Sequence, residues 1–534
     1  MTIALRSFAG ALALSAIFLT GTALDSGRAE AADMVVYNGG DVTSLDPHKL
    51  SGDWEDRVAG DIYEGLMTED PKAKPVAGQA ESHEISDDGL TYTFHLREDA
   101  RWSDGEPVTA EDFVYAFRRL QAPKTAAQYA YLQYPIKNAE AINTGKIEDL
   151  SQLGVRAIDD KTLEITLERP TPYFLGALTH YTAYPVPKHL IETNPDDWVQ
   201  IGTIVTNGPY KPVEWVPGSH VLTAKNEEWY GVDDLQIDGV RFLSMEDNSA
   251  GFKRYRAGEI DWMTDFPKDQ FAFIEENLPG QAHVVPFAGL YYYVFNTSKP
   301  PFDNADVRKA LSMAVNRQVI GPQVLGTGEP PAYGWVPPGM ANYPEDGARV
   351  EWADMPYGER VEEAKTLLSE AGYGPDNPLN VVLRYNTNEN HKRAAVAVAA
   401  MWKPLGVNVE LNNAEVKVHY ADLRAGDFET ARAGWLADYN DPINFLDLLK
   451  SGVEMNYGRW SNETYNKLLD QASSMQDLEE RGKVLKEAEQ IALDDSAALP
   501  IYYYLSENIV SPKVKGFEDN VFDKHRTRYM SLEE

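Results

Sequence analysis

The residues best placed to do chemistry lie in one run, Arg432-Ala433-Gly434-Trp435-Leu436-Ala437-Asp438-Tyr439-Asn440-Asp441-Pro442. Small and apolar residues lead out to the Asp438 carboxylate, the Trp435 indole stands close by, and Asn440-Asp441-Pro442 supplies a turn. An acid at the end of an apolar strand is unlike a solvated surface acid. One use for it is to meet a cation that arrives on a ligand, such as the amino terminus of a peptide. An acid that caps the next helix or pairs with a nearby arginine fits the same residues, and this segment alone leaves both readings open.

Other chemistry is mostly excluded. The chain of 534 residues has no Cys, which removes disulfides, thiolate catalysis, thiolate zinc sites and iron–sulfur clusters. The His-Glu-x-x-His helix and the phosphate-binding Walker loop are absent, and Gly326-Thr327-Gly328 runs into Glu329-Pro330-Pro331 and fails the dinucleotide fingerprint. No Gly-x-Ser-x-Gly elbow is present, and the 10 His show no metal spacing, so neither metal nor cofactor is expected. A carboxylate pair for glycoside hydrolysis survives by counting alone, among 83 acids. The net charge of −34 repels nucleic acid and anionic membranes and favours cationic ligands, within the limits of salt screening.

The amino terminus reads as a targeting segment. Arg6 precedes an apolar stretch over 8–24, and Ala29-Glu30-Ala31 offers a small-residue cleavage site before Ala32. A membrane anchor is the competing reading. Cleavage would leave a free protein in an outer compartment, and without Cys no lipid anchor is expected.

The elements that must position the run follow from periodicity. Residues 34–37 form a short strand that passes through Gly39-Gly40 to Ser44-Leu45-Asp46-Pro47, and Tyr92, Phe94 and Leu96 alternate as a half-buried strand with His95 on its polar side. Thr109 with Asp112 starts a helix that buries Phe113, Ala116 and Phe117. An aromatic strand at Tyr291-Tyr292-Tyr293-Val294-Phe295 opens a new section, and beyond 361 the pattern is α/β. A helix ends at Gly372, a strand covers 379–384, an Ala-rich helix 391–403 and a strand 407–411; this spacing predicts a parallel pair with a right-handed crossover. A helix over 483–493 should turn Val484, Ala488 and Ile491 inward, and a last strand at 499–505 carries Tyr502-Tyr503-Tyr504.

These residues carry a likeness. Ser44-Leu45-Asp46-Pro47-His48-Lys49, Trp102-Ser103-Asp104-Gly105, Ile204-Val205-Thr206-Asn207-Gly208, Tyr255-Arg256-Ala257-Gly258-Glu259-Ile260-Asp261, Tyr385-Asn386-Thr387 with His391-Lys392, and 431–440 together resemble the periplasmic oligopeptide-binding proteins of bacterial ABC importers, within the peptide/nickel class of solute receptors. The resemblance covers the chain after residue 31. It implies an α/β, two-lobed periplasmic-binding-protein clamshell with an extra third domain. One discontinuous lobe would comprise 32–63, 189–291 and 506–534, the extra domain 64–188 and the other lobe 292–505, with two crossing connections as a hinge.

It also implies roles. Asp438 would pair with a peptide's α-ammonium, and Gly434, Trp435 and Leu436 would form the strand that hydrogen-bonds its backbone. Arg432, Arg424 and His391 would meet ligand carboxylates at different peptide lengths. Tyr129 and Tyr504 would line the cleft, and Ser51-Gly52-Asp53 would be a second backbone-pairing strand. A lysine that holds longer peptides in the relatives is missing near Gln323 to Gly328, and a pocket tryptophan is replaced near Val416. Partners implied are short oligopeptides of about two to five residues, bound as an added strand, and an inner-membrane permease with its ATPase subunits. The protein would be a monomer and not an enzyme. A same-fold receptor for nickel, haem, an opine or a murein peptide is the alternative, and an extracytoplasmic hydrolase a remote one.

Overall fold

The computed structural model describes residues 34–533, except for the side chains of Val416 and Lys417. The expected targeting segment and its cleavage site therefore lie outside the described residues. Among those described, no helix is long and apolar enough to cross a membrane.

One ten-stranded sheet organises the chain. In chain order its strands are β1 (Met34–Tyr37), β2 (Tyr210–Val216), β3 (His220–Lys225), β4 (Val240–Leu243), β5 (Trp262–Met263), β6 (Ala282–Phe295), β7 (Leu379–Asn386), β8 (Val407–Ala414), β9 (Thr430–Leu436) and β10 (Ala498–Val510). Their order across the sheet is β8-β7-β9-β6-β10-β5-β1-β4-β3-β2. The long neighbours β6 and β10 run antiparallel through its middle. Ala282–Pro286 pairs with Leu505–Ile509, and Leu290–Val294 pairs with 498–503, with the register slipping between Pro286 and Leu290. Proline cannot donate to the ladder, so the break falls where pairing is already weakened.

Two main cores sit either side of that break. One gathers Tyr292, Trp335, Trp402, Leu446 and Leu499. The other gathers Phe94, Trp102, Phe113, Tyr210 and Phe242. The chain thus forms two lobes joined by β6 and β10. On the second lobe a four-stranded antiparallel sheet (Ala80–Ile85, Thr91–Leu96, Thr162–Thr166 and Val155–Asp159) packs against the helix Ala110–Gln121. That helix begins as its sequence predicts, with the Thr109 amide and hydroxyl both donating to Asp112 Oδ2 at 2.9 Å. The predicted strand–helix–strand unit is present: β7 and β8 are parallel, joined through the helix Glu389–Trp402.

One helix departs from expectation. It runs Leu478–Asp494, and its inward face carries Arg481, Leu485, Ala488, Glu489 and Ala492, with Val484 and Ile491 only partly buried. Ala488 is inward as expected and Val484 and Ile491 pack at the edge of the core; what apolar periodicity missed is that two ionic side chains share the buried face, Arg481 reaching Asp441 and Glu489 the Trp335 and Val336 amides.

The C-terminal tail is clasped to the second lobe by buried charges. Arg526 reaches Asp56 at 3.3 Å and Glu69 at 3.2 Å, Lys524 reaches Glu69 at 3.0 Å, and Arg528 pairs with Glu64. Arg526 lies across the helix Asp53–Ile62 at Gly60, where an added Cβ would stand 1.8 Å from Nη1. Gly60→Ala should therefore lower stability by about 1–3 kcal/mol despite alanine's better helix propensity. Urea unfolding checks this; a gain in stability would show that Arg526 moves aside freely.

Candidate functional site

β9 is a strand with half an edge open. It pairs with β6 along its whole length, from Thr430 to Leu436. On its other side β7 pairs only at Thr430 and Ala431. The Ala437 amide donates to Ala288 O at 2.8 Å and the Asn296 amide to Glu429 O at 2.9 Å. Both pairs stand in the hydrogen-bonded register, so antiparallel alternation turns the amides and carbonyls of Ala433 and Trp435 toward β6. Those of Arg432, Gly434 and Leu436 turn the other way. The Arg432 carbonyl meets His419 Nε2 at 2.9 Å. Gly434 and Leu436 thus present the backbone groups an extended ligand needs. Gly434 is glycine for a local reason: a Cβ there would stand 2.8 Å from both Arg432 Nη2 and Tyr504 Oη.

Asp438 lies just beyond the end of β9. The chain after it is pinned at two points. Asp441 is fully buried in a bidentate pair with Arg481, at 2.7 and 2.8 Å, and Asn440 Oδ1 accepts from the Ala341 amide at 2.7 Å. Asn444 Oδ1 accepts from Trp435 Nε1 at 2.7 Å and from the Asp438 amide at 3.3 Å. The arginine that this segment's acids might have claimed is therefore spent on Asp441. Among the described residues no cation lies within 4.0 Å of the Asp438 carboxylate. Its nearest cationic influence is Lys524, itself paired with Glu69. Asp438 keeps part of its surface open, yet its carboxyl is largely enclosed. Desolvation pushes it up to about 6, with hydrogen bonds from Asn444 and Tyr131 and the field of Lys524 opposing, and Asp53 adding to the rise.

Arg432 marks the other end of the open edge. It is buried, and its Nη1 donates to Asn386 Oδ1 and Tyr420 Oη at 3.1 Å, and its Nη2 to Tyr504 Oη at 2.7 Å. The guanidinium lies 4.8 Å from the centre of the Tyr291 ring. Among the described residues it has no carboxylate partner, and its Nε is without a hydrogen-bond partner. His391 lies against Tyr291 with ring centres 5.5 Å apart and planes tilted by 48°, and among the described residues its Nδ1 also has no hydrogen-bond partner. Burial, then the nearby Arg432 charge, holds His391 down to about 3, so it is neutral at physiological pH. His419 is held down to about 4 by burial. Arg424 stands apart from this group, partly exposed and 3.8 Å from Glu454.

Tyr129 and Tyr131 face Asp438 from the other lobe; Tyr129 packs with Tyr131, His180 and Tyr181 at ring separations of 5.6, 5.9 and 6.2 Å. Ser51-Gly52-Asp53 requires correction. It is not a strand: Gly52 is the N-cap of the helix Asp53–Ile62, and Glu55 Oε2 accepts from the Ser51 and Gly52 amides at 2.9 and 3.1 Å. Those donors are spent within the turn. The Asp53 side chain nonetheless lies in electrostatic range of both Asp438 and Tyr129. The expected Val416 position has no described side chain. Sequence reasoning did not name His419, Tyr131, Tyr291, Tyr420, Asn386 or Asn444 as site residues. Tyr291 and Asn386 stood in motifs already noted, whereas His419 carries no local signal.

Residues 74–457 match the family described as bacterial extracellular solute-binding proteins, family 5 Middle. The chain belongs to this family. It is 40% identical over 532 residues to the periplasmic oligopeptide-binding protein OppA of Escherichia coli K12, covering 98% of this chain and 96% of that one. The unliganded open form of the periplasmic murein tripeptide-binding protein MppA superposes with a TM-score of 0.84 at 38% identity, over 93% of this chain and 97% of that one. Haemophilus influenzae OppA in complex with RPPGFSPFR gives a TM-score of 0.77 at 38% identity, over 93% and 98%. The two lobes and their crossing strands are thus the α/β clamshell of family 5.

The ionisation of Asp438 is directly measurable. Carbon-13 NMR of the side-chain carboxyls in the ligand-free protein should show one that titrates near pH 6 and is missing from Asp438→Asn. Asn444→Ala, which removes a bond that favours the ionised form, should move it higher. A titration below pH 4 would contradict the enclosed site.

Proposed function

We propose that this protein is an extracytoplasmic receptor that captures short peptides and delivers them to an ABC-type permease. The observation that carries the reading is the Asp438 carboxylate, enclosed and without a protein cation, at the end of a strand whose next backbone groups are unpaired. An extended peptide supplies what is missing at each point: an α-ammonium for Asp438, amides and carbonyls for Gly434 and Leu436, and a terminal carboxylate for Arg432. Backbone pairing gives affinity without regard to sequence. The charge-assisted bond at Asp438 fixes register, and it strengthens as water leaves the cleft. Arg424 is the further cation for peptides of other lengths, and His391, neutral at physiological pH, would meet a ligand carboxylate only as a hydrogen-bond donor.

Family membership supports the remaining expectations. The lobe limits 32–63 with 189–291 and 506–534, 64–188, and 292–505 fit the positions of the cores and of β6 and β10. Closing of the lobes about those strands would create the form that the permease and its ATPase subunits read. The protein works as a monomer in the periplasm, free of a lipid anchor after removal of residues 1–31, and binds without turnover.

Asp438→Asn should weaken tripeptide binding by about 30-fold to several thousand-fold, the ~2–5 kcal/mol that follows from removing one partner of a desolvated charge pair. N-acetylation of the tripeptide should do the same to the unaltered protein. Calorimetry reads both, and equal affinity for free and acetylated tripeptides would remove Asp438 from its role.

The pH dependence has a definite sign. A bound ammonium favours ionised Asp438, so its pKa falls on binding and protons are released. Affinity should be greatest near pH 7, drop by roughly tenfold per unit below about pH 6, where the free carboxyl is protonated, and fall again above about pH 8, where the peptide's own α-amino group loses its proton. The Asp438→Asn protein should lack this slope. An affinity unchanged from pH 7.5 to 5 would contradict the linkage.

A further inference from the structure

β7 leaves β9 abruptly. The two run parallel, with Leu383 opposite Thr430 and Arg384 opposite Ala431, and there their pairing stops. Yet β7 continues to Asn386 and stays paired with β8 as far as Asn386 and Ala414. The register dictates which bonds would come next. The Thr387 amide donates to Ala414 O at 2.9 Å, on the β8 side. Successive residues of a strand turn their amides and carbonyls to opposite sides, so those of Asn386 turn toward β9. In register, their partners would be the Arg432 carbonyl and the Gly434 amide. The second of these is a group that the open edge offers to a ligand.

His419 stands in the way. It belongs to the helix Val416–Ala425, which follows β8, and it is fully buried. Its Nε2 lies 2.9 Å from Arg432 O. A carbonyl only accepts, so Nε2 carries the proton and donates. Arg432 O points away from β6, so the imidazole sits on the side from which the Asn386 amide would approach. Among the described residues the ring's Nδ1 has no hydrogen-bond partner, which leaves the bond to Arg432 O as the ring's single polar task there. The helix is fastened on both flanks. Asp422 pairs with Arg384 of β7, and Tyr420 Oη accepts from Arg432 Nη1 at 3.1 Å. Leu423, one turn after His419 on the same face, is fully buried in the core of the lobe. Asn386 is meanwhile drawn to the Arg432 side chain, whose Nη1 donates to its Oδ1 at 3.1 Å.

We propose that His419 is a wedge that keeps the ligand's edge of β9 open. By taking the Arg432 carbonyl and filling the space before it, the ring stops β7 from zipping one pair further and consuming the Gly434 amide. A strand with free amides and carbonyls is a template for whatever strand can reach it. For β9 the nearest such strand is β7, so an edge reserved for a ligand has to be defended against its own neighbour. His419 is thus a positioning residue, which acts on the ligand through β9 and touches none of it. The inference rests on the peptide reading for the use of that edge; the splitting of β7 from β9 does not depend on it.

The test reads the edge without a ligand and then with one. Residue-resolved amide hydrogen exchange, by NMR of the ligand-free protein, follows Gly434. In the unaltered protein this amide should exchange fast. His419→Ala removes both ring and donor, and it should slow Gly434 by at least about tenfold as the Asn386 carbonyl takes the amide. Calorimetry with trialanine should then show roughly tenfold weaker binding, because one backbone bond is already spent. His419→Gln places an amide nitrogen at similar reach and should restore both fast exchange and affinity. A merely structural role predicts the opposite sign, since loosening the helix speeds exchange along 430–436. Gly434 exchange that is unchanged or faster in His419→Ala, or slowed equally in His419→Gln, overturns the wedge. Slowed exchange with unchanged trialanine affinity keeps the wedge and overturns the ligand's use of Gly434.

Discussion

A carboxylate drawn out of water without a cation beside it is unfavourable, and this fold holds Asp438 in that condition. Two acids stand three positions apart on one turn. Asp441 takes Arg481 in a fully buried bidentate pair, and Asp438 takes none. The first arrangement makes the second possible. Removing one partner of a buried ion pair leaves an uncompensated charge and costs about 3–5 kcal/mol, so the turn cannot relax to hand Arg481 to Asp438. Asn440 and Asn444 reinforce the hold. The unmet electrostatic demand is thereby stored at the end of a strand rather than dispersed into the protein.

The same logic recurs at Arg432 with the sign reversed. A buried guanidinium is met by phenols and an amide, and by no acid. Between the two lies a strand edge with free backbone groups. An acid, a row of amides and carbonyls, and a cation follow one another in the order in which a peptide presents their complements. β9 is fixed against β6, and β6 with β10 forms the connection between the lobes, so the groups proposed to hold a ligand and the strands that join the lobes lie in one continuous sheet. Closure of the lobes, as proposed above, would therefore act on the sheet that carries the site.

Much of this was legible in the residues, and the misses have common causes. The run ending in Asp438 stands out because an acid follows small and apolar residues, and the β7–helix–β8 unit follows from length and periodicity. What the chain alone left open was whether Asp438 is paired with a protein arginine; Arg481 goes to Asp441 instead, 40 positions away, and that pairing is tertiary. The inward face of the helix Leu478–Asp494 was legible only in part for the same reason: Ala488 is buried as expected, but Arg481 and Glu489 are buried beside it with partners that periodicity does not count. A pairing strand at Ser51-Gly52-Asp53 was implied by the resemblance rather than by these residues, and Glu55 takes the Ser51 and Gly52 amides. His419 joins the site from a separate element and carries no local mark.

The most direct measurement is a crystal structure of the protein grown with a tripeptide. The account predicts the peptide nitrogen within hydrogen-bonding distance of the Asp438 carboxylate, main-chain bonds to Gly434 and Leu436, and Arg481 still on Asp441. A peptide bound elsewhere, with Asp438 turned onto Lys524 or another protein cation, would contradict it.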